Sequence, residues 1–333
     1  MPTPPGATLD CKDYAILAIV QGSLGEPGVT LGTRGRCRFC GETDSSAFRS
    51  VAHALPEAFG NKWVTSLDEC DVCNARFGAF DDALAKSMGA ILTVGGTRGK
   101  GNKVRQTGRS DGPASIRHRI IDGKRSISMR ANGTPFSEHF GMNRTTGELV
   151  FRIPGGAERF VPAKAYKGLV KMAVALLPPE ELPHFSKIIA WLGSPDDDLL
   201  PHMIVGLSFS IIGNSPPLLA ASLLRRTSDS RDRPYMLFVT TMGSVCLQIV
   251  LKADDRDGVW PSQLRTRPNI RWTNMPAPPS EEPLALAYDA PAHLDWARAA
   301  LEPPVIEALV TAVHPQSGQG RMSAVLRKAA LAP

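Results

Sequence analysis

Two Cys-x-x-Cys pairs, Cys37/Cys40 and Cys70/Cys73, constrain this chain more than any other feature. Each pair turns two thiolates toward one point, and two such knuckles complete the closed tetrahedral coordination of a structural zinc ion. The spacer between them, residues 41 to 69, is 29 residues long. A compact zinc ribbon needs fewer, so a further element is built between the ligands. That insert carries the dipeptide Ala52-His53 and the turn-like Gly60-Asn61, and Asn74 follows the last cysteine directly. These polar residues form the cluster that looks like chemistry.

With 333 residues the chain can bury a sizeable core, and its length favours two domains. A hydrophobic fraction of 43% and a charged fraction of 21% are those of a globular protein and argue against wholesale disorder. The net charge of +6 is unevenly spread. Between Ile91 and Gly133 ten Arg and Lys stand against Asp111 and Asp122 alone, so this one segment exceeds the charge of the whole chain. Such a patch is compatible with a polyanionic partner. The apolar run Tyr14–Val20 is too short for a secretory signal and lacks a basic region before it, and no apolar stretch approaches a membrane span. The expected setting is cytoplasmic, where paired cysteines hold metal more often than they form disulfides. Cys11 and Cys246 stand apart from the knuckles.

The pattern along the chain predicts an α+β protein. Residues 1–36, rich in Pro and Gly, read as an arm with one short element at Tyr14–Val20. Residues 37–94 form the metal-bound module. Within it Ala47–Ala54 and Trp63–Ser66 are the expected strands, joined by a loop, and Phe77, Phe80 and Leu84 mark the buried stripe of a helix starting at Asp71. Acids at 68, 69 and 71 suit the positive end of that helix, and Gly89 suits its end. Residues 95–112 read as a basic, glycine-rich linker. The remainder, 113–333, reads as a mixed α/β C-terminal domain. It should contain a hairpin over Ser115–Arg130 turning at Asp122-Gly123, a strand at Glu148–Ile153, and helices at Pro162–Leu177 and Glu180–Leu192. Strands are expected at Met203–Ile212, Tyr235–Thr241 and Val245–Lys252, the last two a hairpin through Met242–Ser244. Residues 256–291 look irregular, and helical segments are expected at His293–Leu301 and Val305–Val313, before a basic stub at Arg321–Lys328.

The series Cys-x-x-Cys, then Ala-His-Ala-Leu-Pro-Glu-Ala-Phe-Gly-Asn-Lys, then Glu-Cys-Asp-Val-Cys-Asn-Ala-Arg-Phe-Gly resembles the zinc-stabilised, four-cysteine branch of the HNH endonucleases, which carry the ββα-metal fold. The resemblance implies that Cys37, Cys40, Cys70 and Cys73 hold structural zinc. It makes His53 the general base that deprotonates water, a role suited to a group titrating near neutrality. Asn74 would hold a catalytic Mg²⁺ or another divalent cation, and Asn61 would orient His53. Ala52 departs from the pattern, because the family often has a metal-binding carboxylate there. Asp81 is one replacement, although it lies two helical turns, about 10 Å, beyond Asn74; Glu57, Glu69 and Asp82 compete with it.

The expected function is metal-dependent hydrolysis of DNA phosphodiesters, with Arg98, Lys100, Lys103 and Arg105 on the DNA backbone. One such unit cuts one strand, so a double-strand break implies a homo-oligomer or two successive nicks. A restriction or anti-phage defence role would suit a nuclease fused to a second domain. Two alternatives remain open. One is a non-catalytic zinc module that binds nucleic acid. The other is a nuclease effector switched on by a regulatory protein or small-molecule signal at the C-terminal domain.

Overall fold

A computed structural model of the protein describes residues 8–9, 13–22, 27–109, 111–112, 114–122, 124–131 and 158–200. It also describes 203, 205–209, 219–229, 231, 233–243 and 245–258, and the strands 140–142, 149–153, 269–270, 306–313 and 320–326. Strands and helices come in separate runs along the chain, as in an α+β protein.

The four-cysteine module is a small sheet on a helix. Val64–Ser66 is its central strand, paired in parallel with Val29–Leu31 and antiparallel with Ala52–His53. Helix α1 (Asp71–Ser87) starts at the second knuckle and buries Cys73, Phe77, Phe80, Ala83 and Leu84 along one face. Fully burying side chains such as Phe77 and Leu84 contributes ~1.5–3 kcal/mol each. A second short helix, α2 (Gly89–Gly95), follows at once and stops at Gly96, whose φ of 72° lies in the left-handed region.

Helix α3 (Pro162–Leu176) lies against α1 and also touches the larger sheet. Pro162 fits its first turn, and every residue from 162 to 176 except Lys164 is buried. A helix buried on nearly all sides belongs between two layers. Gly168 is what lets α1 come close: a Cβ there would sit 3.2 Å from the Phe80 carbonyl oxygen. The larger sheet is antiparallel, in the order Val205–Phe209, Val245–Leu251, Met236–Met242, Leu219–Arg226, Tyr14–Gly22. Its two central strands are buried at all fourteen positions. Phe238, Leu247 and Ile249 join a core that is continuous with the zinc module, while Leu237, Val239, Cys246 and Val250 pack on the opposite face with Tyr14 and Leu224.

The helix from Asp71, the helix from Pro162, the 114–131 hairpin turning at Asp122, and the hairpin through Gly243 stand as the sequence predicts. Other expectations change. The strand at 47–54 shrinks to Ala52–His53, because Ser45–Ala47 forms a 3₁₀ turn and Asp71 draws the backbone of Arg49 and Ser50 to itself. The arm is not free: Tyr14–Gly22 is an edge strand of the large sheet and Val29–Leu31 joins the module's sheet. Residues 180–192 form a 3₁₀ turn (Leu182–Phe185) and a short helix (Ser186–Trp191) instead of one helix. Leu219–Arg226 is a strand that the sequence reading missed. Ile306–Val313 is a strand and not a helix, paired on one side with Leu149–Ile153 and on the other with Gly320–Leu326, which holds most of the basic stub. The helix expected at 293–301 lies outside the described residues, as does most of 256–291.

Candidate active site and metal centre

The metal centre is built by two turns. Gly41, with φ of 78°, lets the first knuckle fold back, so that the Gly41 amide donates to the Cys37 carbonyl at 2.8 Å. The second knuckle is the start of α1, where the Asn74 amide donates to the Cys70 carbonyl at 2.9 Å. The Cys70 amide then donates across to Cys37 Sγ at 3.4 Å. The four Sγ atoms lie within 4.8 Å of one another, with Cys40 and Cys70 at 3.5 Å. Zn–S bonds of about 2.3 Å set the sulfurs of a tetrahedral site about 3.8 Å apart. Four thiol donors at this spacing fit zinc. Cys37, Cys70 and Cys73 are buried and Cys40 is exposed, the environment of a closed structural centre. The hydrogen bond between Cys73 and Cys37 pulls the Cys37 thiol down and pushes the Cys73 thiol up.

His53 ends the edge strand of the module sheet and is half-buried. Its Nδ1 is buried and has no hydrogen-bond partner among the described residues, which leaves Nε2 as the nitrogen within reach of solvent. Burial lowers its pKa. Glu57 opposes that shift, and the Lys171 and Lys62 ammonium groups add to it.

Asn61 does not touch the His53 ring. Fully buried, it donates through Nδ2 to the Leu55 and Val64 carbonyls at 2.6 and 2.9 Å. Its Oδ1 accepts from the Trp63 and Val64 amides at 3.1 and 2.9 Å. All four hydrogen-bonding sites are thus used on the loop that returns the chain from the His53 strand to the central strand. Its brace acts on backbone and reaches His53 only through the hairpin.

Asn74, in the first turn of α1, donates through Nδ2 to Ser50 Oγ at 3.1 Å, and its Oδ1 makes no hydrogen bond among the described residues. Ser50 stands three residues before His53, so one short contact ties the helix start to the strand of the candidate base. The same Ser50 hydroxyl donates to Asp71 Oδ1 at 2.5 Å. That bond, with the amides of Ser50 and Arg49, holds the Asp71 carboxyl down at about 2. Asp71 is therefore the carboxylate that shares a partner with Asn74.

Asp81 keeps other company. Its Oδ1 is buried without a hydrogen bond and its pKa is raised by desolvation, against the pull of Lys171. Glu69 is only 2% exposed and is pushed up to about 7 by desolvation, against the same lysine. Its Oε2 lies 3.4 Å from Lys171 Nζ, an ion pair without hydrogen-bond geometry. Asp81 thus faces the buried Lys171–Glu69 pair, two turns from Asn74 and away from the Ser50–Asp71 group. From the sequence Asp71 reads only as a helix-dipole acid, and neither Ser50 nor Lys171 stands out. A carboxylate at the first helical position, three residues before Asn74, was the available signal for Asp71. A lysine in an apolar helix offers none.

The basic stretch is structured. A bridge joins Arg98 to Val104, a 3₁₀ turn spans Lys100–Asn102, and Gly99 packs against the 57–59 turn, where a Cβ would meet the Ala58 Cα at 3.1 Å. Arg98, Lys100 and Lys103 are exposed beside the loop that follows His53. Arg105 is committed elsewhere, its Nη2 bonding both oxygens of Glu158 at 2.9 and 2.8 Å.

A four-thiol knuckle pair that clamps a short hairpin onto a helix start defines a zinc-type ββα module. Residues 37–88 match the family model of the HNH endonucleases, so this segment is similar to an HNH endonuclease module. No curated protein and no solved structure matches the chain. Among the described residues no helix is long and apolar enough to cross a membrane.

Proposed function

We propose that the protein is a metal-dependent endonuclease that hydrolyses phosphodiester bonds in DNA. The observation that carries this reading is the Asn74–Ser50 hydrogen bond, which ties the candidate cation ligand to the strand ending in His53. His53 Nε2 takes the proton from the attacking water, and burial keeps the imidazole neutral and ready to accept it. Asn74 offers Oδ1 to Mg²⁺ or another divalent cation, with the Asp71 carboxylate one hydroxyl away. When bound, such a cation stabilises the charge that develops on the phosphate oxygens. Ala52 supplies no ligand, so the site relies on Asn74, on water and on the Asp71 side of the module. Zinc at the four cysteines holds the architecture and takes no part in chemistry. Arg98, Lys100 and Lys103 engage the DNA backbone beside the site, whereas Arg105 serves the fold. The setting we favour is restriction or anti-phage defence, with the C-terminal region taking a signal or partner and a homo-oligomer making double-strand breaks.

Incubation of supercoiled plasmid with the purified protein and Mg²⁺ or Mn²⁺ tests this reading. The wild type should yield nicked circles, and His53→Ala should lower the rate at least ~100-fold with zinc content and folding unchanged. Equal behaviour of the two would leave a zinc module that binds nucleic acid without cutting it, the outcome Ala52 favours.

A further inference from the structure

We propose that Lys171, on helix α3 and outside the matched segment, is a positioning residue for His53, so that the candidate base is aimed by a helix that does not belong to the nuclease module. The proposal rests on His53 being the base. The Ala54 amide bonds the Val64 carbonyl at 3.2 Å, which makes the neighbouring pair, His53 and Thr65, a non-hydrogen-bonded pair. The His53 carbonyl therefore points away from the central strand. Ala52–His53 is also the edge of the sheet, and among the described residues no further strand takes that carbonyl.

Lys171 takes it: its Nζ donates to the His53 carbonyl oxygen. The lysine side chain is only 1% exposed, and Glu69 Oε2, 3.4 Å away, balances its charge. The ammonium also lies over the Phe77 ring of α1, 5.9 Å from the centroid. Asp81 of α1 brings a second carboxyl, its Oδ1 buried, to the same group. Glu69 directly precedes Cys70. One ammonium thus spans the last residue of the hairpin strand and the residue before the second knuckle, the two points that set where His53 stands relative to the start of α1. Fixing the 53–54 peptide fixes the direction in which the His53 side chain leaves the backbone, and a small error in aim costs a large factor in rate.

The test uses the full-length protein in four forms: wild type, Lys171→Met, Lys171→Arg, and Lys171→Met with Glu69→Gln, which removes the lysine and its ion-pair partner together so that Glu69 is not left buried and unpaired. Lys171→Met should lower kcat for plasmid nicking by roughly 10- to 100-fold while leaving KM for DNA and zinc content unchanged. Lys171→Arg should recover most of the rate. The double variant should melt as the wild type does and still cut slowly, because the His53 carbonyl has lost its donor. A double variant with wild-type kcat overturns the proposal. So does a loss of zinc and rate together in all three variants, which would mark Lys171 as merely structural. If the wild type itself does not nick, the nuclease reading fails, and ¹⁵N-histidine NMR still decides the placement. His53 ring signals that move in the double variant but not in Lys171→Arg support the aim, and unchanged signals in both sink it.

Discussion

His53 and Asn61 illustrate how differently two polar residues of one loop are used. Burial holds the His53 pKa below its ordinary value of about 6.5. A base works in its neutral form, so cleavage should rise with pH through the lowered pKa and be level by about pH 7. The same shift has a stability consequence: the contribution is whole above the unfolded value and is lost as pH falls through the folded one. A pH–rate profile on nicked plasmid checks the first point, and a rate still climbing above pH 7.5 would contradict it. Asn61 makes four hydrogen bonds from a fully buried position. Asn61→Ala would leave two carbonyls and two amides without that partner, and urea unfolding should show a loss of about 3 kcal/mol, with any fall in cleavage following the loss of fold.

At the level of elements, helix α1 was legible because everything that makes it is local: a knuckle at its start, an acid in the first turn, apolar residues at i, i+3 and i+7. The knuckles were legible for the same reason. Short strands were not. Ala52–His53 stops where Asp71, some twenty residues away, captures the preceding backbone, which no local pattern records. Leu219–Arg226 was missed because LAASLLRR is buried on both faces and shows no alternation. Ile306–Val313 carries Ala, Leu and Glu that suit a helix, and pairing with the distant Leu149–Ile153 and the nearby Gly320–Leu326 overrules them. The approach of α1 to α3 belongs here too. With the Phe80 carbonyl 3.2 Å from where a Cβ would stand, Gly168→Ala should push the helices apart and cost ~1–3 kcal/mol, measured by thermal melting; an unchanged melting temperature would show that the helices can give way.

On the scale of the whole molecule, the core runs without a break from the second knuckle through α1 and α3 into the large sheet. The site could be read in outline from the sequence, since His53, Asn74 and the four cysteines lie within 37 residues of one another. Its support could not, because Lys171 arrives from 118 positions away. A fragment of residues 37–95 would expose Phe77, Phe80 and Leu84 to water and leave Glu69 unpaired. It should aggregate or remain unfolded even with zinc present, as circular dichroism and gel filtration would report; a folded, monomeric fragment would refute this. Arg38 makes the same point from the other direction. Sitting between Cys37 and Cys40, it grips Asp68 Oδ2 at 2.6 and 2.8 Å with Nη2 and Nε. Its Nη1 gathers the carbonyls of Val174, Ala175 and Leu177 at the end of α3, at 2.7, 2.9 and 3.0 Å. A single guanidinium is therefore stitched to both the metal-binding turn and the tail of the central rod. Anyone wishing to graft this module onto a foreign scaffold would have to carry that rod along with it, or supply substitutes for the Lys171 ammonium and for the carbonyls that Arg38 grips.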